Sequence, residues 1–307
     1  MQKKRNPKIG VVIVTFNSEN HVLKCIASVY GNNYKNLSVV VVDNNSNDNT
    51  ISAIKKNYKN IHIVKNNDNL GFAKGCNQGI KFLLKHHTEY VLLLNPDTLI
   101  SKSFLKKMLI PFDENKKIFV AGSIITYMKN PKKIWYAGGY LNKIFLYTRH
   151  KYMDKHVESL KIKSGITDFI TGACMMIRGE AIKKIGLLPE DYFLYFEDIV
   201  FCKKIIDEGF SCYLLAEPLV RHDVSASTGI AGSNNISSLK AYYFARNPLL
   251  YIKANTNSPK KILQIIGQFI IRFPYYLFFM LRMKSVQLIF SYLRGLRDGL
   301  IGKEGYI

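Results

Sequence analysis

The hydrophobic positions of this chain come in short, solid runs separated by polar, asparagine-rich stretches. Ile9–Thr15 is a β-branched run of strand length, and Asn17-Ser18-Glu19-Asn20 behind it is a helix-start signal for His21–Tyr30. Leu37–Val42 predicts a second strand, Ile51–Asn57 a helix and Ile61–Lys65 a third strand. The Gly/Asn loop Asn66–Gly75 then leads into a helix over Cys76–His86. Val91–Leu94 predicts a fourth strand, the most hydrophobic and therefore the most central. Runs that are apolar at every position belong to strands covered on both faces. Their alternation with helices implies a parallel sheet between helical layers.

The middle of the chain is less regular. Phe119–Tyr127 reads as a strand, Ala137-Gly138-Gly139-Tyr140 as a turn, and Leu141–Lys163 as a variable, basic insert. Ile166–Arg178 returns to strand, Gly179–Ile185 is a short helix stopped at Gly186, and Glu197–Glu208 is a helix capped by Gly209. Phe210–Leu215 is the last strand expected in the core.

Ligands of open α/β sheets sit beyond the carboxyl ends of the strands, and the acidic and asparagine-rich loops of the first hundred residues all fall at such ends. The run Val91–Leu94 ends at Asn95-Pro96-Asp97, which puts a lone carboxylate at the sheet's mouth, where a metal and a phosphate can meet. Tyr195-Phe196-Glu197-Asp198 offers a second acidic landmark and a base facing the same cleft. The pattern suggests an enzyme that handles a nucleotide diphosphate.

Composition narrows the setting. At 307 residues there is room for one large domain and an appendage. The five cysteines (Cys25, Cys76, Cys174, Cys202, Cys212) form no CxxC pair, which argues against a disulfide framework or a Cys-based zinc site and fits a reducing compartment. The net charge of +22 admits nucleic acid, an anionic membrane or an acidic substrate as partner. No nucleic-acid motif accompanies it. From Lys240 to Ile307 eleven Lys/Arg face two acids, among many aromatics and aliphatics. Arg272 and Arg282 break the apolar stretches, so no plain transmembrane span is expected, and the basic residues 1–8 run straight into a strand too short for a signal peptide. Pro274 is expected to split this tail into two helices. Val286, Ile289, Phe290, Leu293 and Leu300 fall near one face of the second, suited to lying flat on anionic lipid; a packing helix or oligomer interface is the alternative.

The motifs, taken in order, resemble the family 2 glycosyltransferases with the GT-A fold, within the rhamnosyltransferase-like group, over about residues 8–250. Val11–Asn17 is similar to that family's opening strand and nucleotide loop, Val41–Asp48 to its second nucleotide loop, and Asn69-Leu70-Gly71-Phe72-Ala73-Lys74-Gly75-Cys76-Asn77 to its third. Asn95-Pro96-Asp97 stands where the family keeps its DxD-type motif, followed by Thr171-Gly172-Ala173, Glu197-Asp198 and Arg221-His222. The resemblance implies a Rossmann-like mixed, mainly parallel sheet with helices on both faces, residues 1–250 as the catalytic domain, and residues 251–307 as a helical, amphipathic, membrane-associated segment. It implies an inverting, metal-dependent hexosyltransferase that moves a sugar from a UDP- or dTDP-sugar, dTDP-rhamnose included, to a saccharide or lipid-linked acceptor in cell-wall or polysaccharide synthesis. Such an enzyme would be cytoplasmic, on the inner face of the membrane.

Residue by residue, the resemblance places Thr15, Phe16, Asn17, Asp43, Asn45, Asn69, Gly71, Lys74, Asn77, Asn95, Thr171, Gly172, Ala173 and Arg246 around the nucleotide sugar. Asp43 can accept the N3–H of uracil or thymine, or be an Asx-turn residue; Asn45 and Asp48 can equally cap the next helix. The glycines of the third loop allow close backbone approach to anionic oxygen. Asp97 and His222 are the metal ligands, for Mg²⁺ or Mn²⁺, with Asn95 replacing the first acid of the usual motif. Asp198 is the general base, with Glu197 orienting it or the acceptor; Val200 stands where many relatives carry another acid. Arg246 can neutralise the leaving group or be an exposed charge. Trp135 can stack on a sugar or belong to the core.

Two other enzyme classes lack their marks: a nucleotidyltransferase should carry a Gly-rich basic loop after the first strand, and a dehydrogenase GxGxxG. A degenerate, non-catalytic protein binding nucleotide sugar or anionic membrane is the remaining alternative, with Asn95 and Val200 as its support. Donor sugar, acceptor and oligomeric state are not encoded legibly.

Overall fold

The structure is a computed structural model that describes residues 6–224, 237–257 and 259–306. Three β/α repeats and a fourth strand open it: β1 (Ile9–Thr15), α1 (Val22–Tyr30), β2 (Leu37–Asp43), α2 (Thr50–Asn57), β3 (His62–Lys65), α3 (Phe72–Lys85) and β4 (Tyr90–Leu94). These strands pair in parallel, in the order β4-β1-β2-β3, and β4 is buried along its whole length. The all-apolar runs explain this: a strand covered on both faces has no polar alternation to keep.

Helix α3 begins at Phe72, four residues before its predicted start, because the glycines extend it. Gly75 and Gly79 lie one turn apart against β1, where a Cβ would come within 2.8 Å of Val14 Cγ1 and 2.5 Å of Val12 Cγ1. Glycine there lets the helix axis approach the sheet; a methyl would overpack it.

Beyond β4 the sheet becomes mixed. A short β5 (Thr98–Ile100) and α4 (Phe104–Glu114) precede the long β6 (Ile118–Tyr127) and β7 (Ile134–Tyr136). The basic insert holds a hairpin, β8 (Gly139–Asn142) with β9 (Tyr147–His150). The stretch read as one strand over Ile166–Arg178 is two: β10 (Gly165–Thr167) and β11 (Cys174–Arg178), separated by a loop that carries Thr171-Gly172-Ala173. Strand β11 runs antiparallel to both β4 and β6. After α5 (Gly179–Ile185) and α6 (Glu197–Asp207), β12 (Ser211–His222) continues seven residues past its expected end. It pairs with β6 in parallel and with β5 antiparallel, which carries His222 to the mouth of the sheet. The ten-stranded sheet runs β10-β12-β6-β11-β4-β1-β2-β3, with β5 on β12 and β7 on β6. All five cysteines are buried free thiols.

A second apolar core is built by α7 (Ser238–Asn255), α8 (Lys260–Gly267), α9 (Phe273–Arg282) and α10 (Val286–Ile301). Gly295 and Gly299 of α10 lie against the backbone carbonyls of Tyr242 and Arg246, so α7 and α10 touch main chain to main chain. Tyr192, Phe196 and Val200 of the first unit also belong to this core. That explains Val200: an acid at this buried position would sit in an apolar interior.

Pro274 does not split the tail. A π-turn over Gln268–Arg272 joins α8 to α9, and Pro274 falls at the start of α9, where its missing N–H costs little. Lys260–Arg282 is therefore one continuous helix of 23 residues, long and apolar enough by length and composition to cross a membrane, although Arg272 interrupts its sequence.

Candidate active site

The nucleotide loops at the ends of β1 and β2 are fastened to each other by side chains. The Asp43 carboxylate, fully buried, accepts from Thr15 Oγ1 (2.9 Å), Ser46 Oγ (2.5 Å) and Ser46 N (3.0 Å), which ties the loop three residues on to the neighbouring strand. Asn17 reaches across, donating its N–H to Ser46 Oγ and accepting from Asn47 N. Asp48 accepts from the Thr50 N–H at the start of α2, so of the two suspected caps it is Asp48 that caps; Asn45 sits in the left-handed region at φ 63°. Phe16 stays exposed at the mouth.

The third loop is tied in by a carboxamide relay: Asn44 Nδ2 donates to Gly71 O, Asn66 Nδ2 to Asn44 Oδ1, and Asn66 and Gln78 exchange bonds. Asn69 Oδ1 accepts the Gly71 N–H. Gly71 has φ +82°, and a Cβ there would collide with Phe193 O, so this position requires glycine. Asn77 is buried and faces Leu188 and Glu190 rather than the loop, while Lys74 is exposed.

On the other side of the cleft, Asn95-Pro96-Asp97-Thr98 forms a tight turn, with Thr98 N and Oγ1 both donating to Asn95 O. Asn95 N donates to Ala173 O, joining this turn to the Thr171–Ala173 loop. Asp97 is 5% exposed, and its Oδ1 lies 3.0 Å from His222 Nε2. The ladder explains the meeting: His222 pairs with Thr98, the residue after Asp97. The other ring nitrogen of His222 is buried without a partner. Arg221, alternating along the strand, is exposed.

The acidic pair stands at the first turn of α6. Asp198 Oδ2 accepts the Gly172 N–H (2.9 Å) and Oδ1 the Ile199 N–H (2.8 Å). Burial pushes its carboxyl up, and those backbone N–H groups oppose the shift by favouring the charged form. Glu197 is 4% exposed with Oε2 unpartnered; burial and then the Asp198 charge raise it well above the ordinary range. Burial thus opposes the charge on both carboxyls, and on Glu197 the neighbouring Asp198 charge adds to it. The Tyr195 phenol, pushed up by burial, also feels Glu197 and Asp97, so all three share one neighbourhood.

Arg246 is the candidate the fold holds apart. It is fully buried in α7 between the rings of Tyr242 and Tyr243, bonded to Asn247 Oδ1 and Gly305 O, and it is not an exposed charge. Trp135 lies edge-on to His222 (4.6 Å) and His150 (4.8 Å). His150, from the basic insert, went unnoticed in sequence. Burial brings its imidazole down to about 4, so it is neutral beside the Asp97–His222 pair. Nothing local marks it; only the hairpin β8–β9 brings it there.

The model of glycosyl transferase family 2 matches residues 10–186, and the chain belongs to that family. It is a glycosyltransferase with rhamnosyltransferase relatives at low identity. It is 26% identical to the dTDP-rhamnosyl transferase RfbF of Shigella flexneri over 258 residues, covering 81% of each chain. It is 23% identical to the N-acetylglucosaminyl-diphospho-decaprenol L-rhamnosyltransferase of Mycobacterium tuberculosis, covering 72% of this chain and 78% of that one. Among solved structures, GalNAc-T7 with UDP, GalNAc and Mn²⁺ superposes with a TM-score of 0.58 at 14% identity, over 86% of this chain and 55% of that one. TarS of S. aureus (residues 1–349) in complex with UDP superposes at 0.53 with 17% identity, over 96% and 92%. These likenesses establish the GT-A fold.

Proposed function

We propose that the protein is an inverting glycosyltransferase that moves a sugar from a UDP- or dTDP-sugar to a saccharide or lipid-linked acceptor. The observation that supports this reading is a run of hydrogen bonds that ties the Asn95-Pro96-Asp97 turn, with His222 on Asp97, to the Thr171–Ala173 loop and that loop to Asp198. The names of the two rhamnosyltransferase relatives favour dTDP-rhamnose as donor and a lipid-linked acceptor.

Mg²⁺ or Mn²⁺ fits the Asp97–His222 pair. One carboxylate and one imidazole converge, and no group of three His, Cys, Asp or Glu able to hold a metal occurs among the described residues. A hard cation held by two protein ligands keeps its other positions for diphosphate oxygens and water. When bound, it neutralises charge on the departing diphosphate. Asp198 takes the proton of the acceptor hydroxyl as that oxygen attacks the anomeric carbon, opposite the leaving nucleotide diphosphate. Protonated Glu197 adds no second negative charge and can hydrogen-bond the acceptor. Phe16 and Asn17 border the base and the Gly71 loop approaches the phosphates, while Gly172, packed against Phe72, holds its N–H on the Asp198 carboxylate.

The outward face of Lys260–Arg282 supports attachment to the inner face of the membrane, with residues 251–307 as the attachment segment. Ile262, Ile266, Ile270, Phe278 and Leu281 are exposed along it, Ile270 by 70%, and Val286, Phe290, Leu293 and Leu300 continue the patch on α10. The opposite face is held down: Gln264 and Gln268 donate to carbonyls of Lys143, Phe145 and Leu146, and Arg272 to Phe244 O. A helix so anchored lies in the interface plane rather than spanning, with Lys260, Lys261, Arg282 and Lys284 meeting anionic headgroups. Five free thiols suit the cytoplasmic side.

Release of nucleotide diphosphate from UDP-, dTDP- and GDP-sugars with Mn²⁺, in the presence of a lipid-linked disaccharide, tests the chemistry. Turnover with dTDP- or UDP-sugar and inversion at the anomeric carbon are expected. A folded protein that binds neither UDP nor dTDP by calorimetry would sink the reading. Flotation with anionic vesicles, lost in an Ile270→Glu/Phe278→Glu variant, is expected for the membrane face; equal flotation of both proteins would exclude it.

A further inference from the structure

Tyr195 and Phe196 are consecutive non-glycine residues in the left-handed region, with φ of 67° and 79°. Such a conformation is disfavoured for a residue with a side chain and persists only where its surroundings over-determine it. The turn is not idle: Phe196 is the residue on which α6 starts, so its conformation aims Glu197 and Asp198.

What holds the turn comes from another part of the chain. Asn247, fully buried on α7, donates both hydrogens of its amide, to Leu194 O at 2.8 Å and Tyr195 O at 2.6 Å. Its Oδ1 accepts from Arg246 Nε, which orients the amide so that the nitrogen faces the turn. Arg246 is itself fixed by Gly305 O, and the Gly305 N–H returns to Asp191 O, while Tyr306 packs its ring on Phe193. On its far side the same segment bonds to the donor loop, where Phe193 O accepts the Phe72 N–H at 2.9 Å. Residues 191–196 are thus clasped between the C-terminal helices and the third nucleotide loop.

We propose that Asn247 is a positioning residue: its amide fixes the left-handed turn from which Glu197 and Asp198 project, and so sets the reach of the base toward the acceptor. This rests on Asp198 as the base. It also gives Arg246 a role inside the fold, as the group that sets the orientation of the Asn247 amide.

Asn247→Asp is the sharp variant, because it keeps the shape and removes both donors. Leu249→Ala is the control: it opens a cavity on the same helix, in the apolar core, without touching the turn. In the full chain, Asn247→Asp is expected to lower kcat by about 30-fold or more with donor KM within about 3-fold, as misplacement of a reacting group does. It should also raise amide hydrogen exchange across residues 194–199. Leu249→Ala is expected to lower stability while keeping kcat and that local exchange near wild type. Wild-type kcat in Asn247→Asp, or an equal loss in Leu249→Ala, would overturn the proposal. Full activity in Asn247→Asp with an inactive Asp198→Asn would discard the positioning role alone, whereas full activity in both would discard the base assignment beneath it.

Discussion

The two walls of the cleft are built on different plans. The donor wall, from β1 to α3, closes its loops with hydrogen bonds among Thr15, Asp43, Ser46, Asn44, Asn66 and Gln78, nearly all between neighbouring loops, and its polar groups are well satisfied. The acceptor wall gathers residues from distant segments: Asp97 meets His222 125 positions on, and Asn247 grips a turn more than 50 positions before it. That wall also keeps buried atoms without partners, Glu197 Oε2 and His222 Nδ1. An unsatisfied buried group is costly; on the function proposed above, substrate or cation would supply the missing bonds, so the donor wall would be finished before ligand arrives and the acceptor wall completed by it.

The contrast can be broken experimentally. The largest effect is expected from Asp97→Ala, which removes the only carboxylate of the proposed metal pair: turnover should fall by about 10³-fold or more, with loss of Mn²⁺ binding by calorimetry. Next is Asp198→Asn, expected to cost about 10²–10⁴-fold in kcat while UDP or dTDP affinity is kept. Because burial raises the Asp198 carboxyl, the wild-type acid limb should lie above the ordinary carboxylate range, with activity lost as pH falls through it.

On the donor wall the expected outcome is of another kind. Asn44→Ala removes one of the two donors to the Gly71 carbonyl, which keeps the Gly75 N–H, and an acceptor of the Asn66 amide, so it should cost about 0.5–1.5 kcal/mol of stability and raise donor KM, leaving kcat nearly intact. Comparable kcat losses on both walls would erase the distinction.

The smallest effects concern pH and stability. The Glu197 proton favours the folded state below the ordinary value near 4.5, and that contribution is lost as pH rises toward the elevated folded value. Glu197→Gln should therefore gain Tm relative to wild type between acid and neutral pH. His150 has the opposite sign: lowered from 6.5 to about 4, it contributes stability fully above 6.5, lost as pH falls toward 4. His150→Phe should flatten that part of the melting profile.

How much was legible follows the same division. Strands β1, β2 and β4 could be read nearly to the residue because burial writes itself as unbroken apolar runs, while β3, at the sheet edge, was marked by Ile63 and Val64 between exposed His62 and Lys65. Helix α3 started early because glycines, read as loop, serve there as close-packing residues. The double role of Ile166–Arg178 was hidden, since Thr171-Gly172-Ala173 interrupts the run with small residues rather than charges. Pro274 misled for a physical reason: a proline's missing donor breaks a helix unless an adjacent π-turn absorbs it. The clustering of Asp97 with His222 could be expected only from resemblance, and His150, Asn247 and the carboxamide relay not at all, because such contacts are properties of topology and leave no periodic trace.

Strand β12 carries one further consequence. Against β6 its pairing skips between Leu215 and Pro218 and again between Pro218 and Val220, before Arg221 and His222 come into step with Thr126 and Tyr127. These irregularities act as a residue counter that decides which side chain is delivered at the end of the strand. Inserting a single residue there would turn the alternation over and bring Arg221, with its guanidinium, into the place of His222 opposite Thr98. A permanent cation would then occupy the post that a recruited one is proposed to fill. If the proposed metal pair holds, one position of strand phase would separate reliance on a dissociable ion from independence of it, which makes the bulge a natural place to look for transferases that have dispensed with metal.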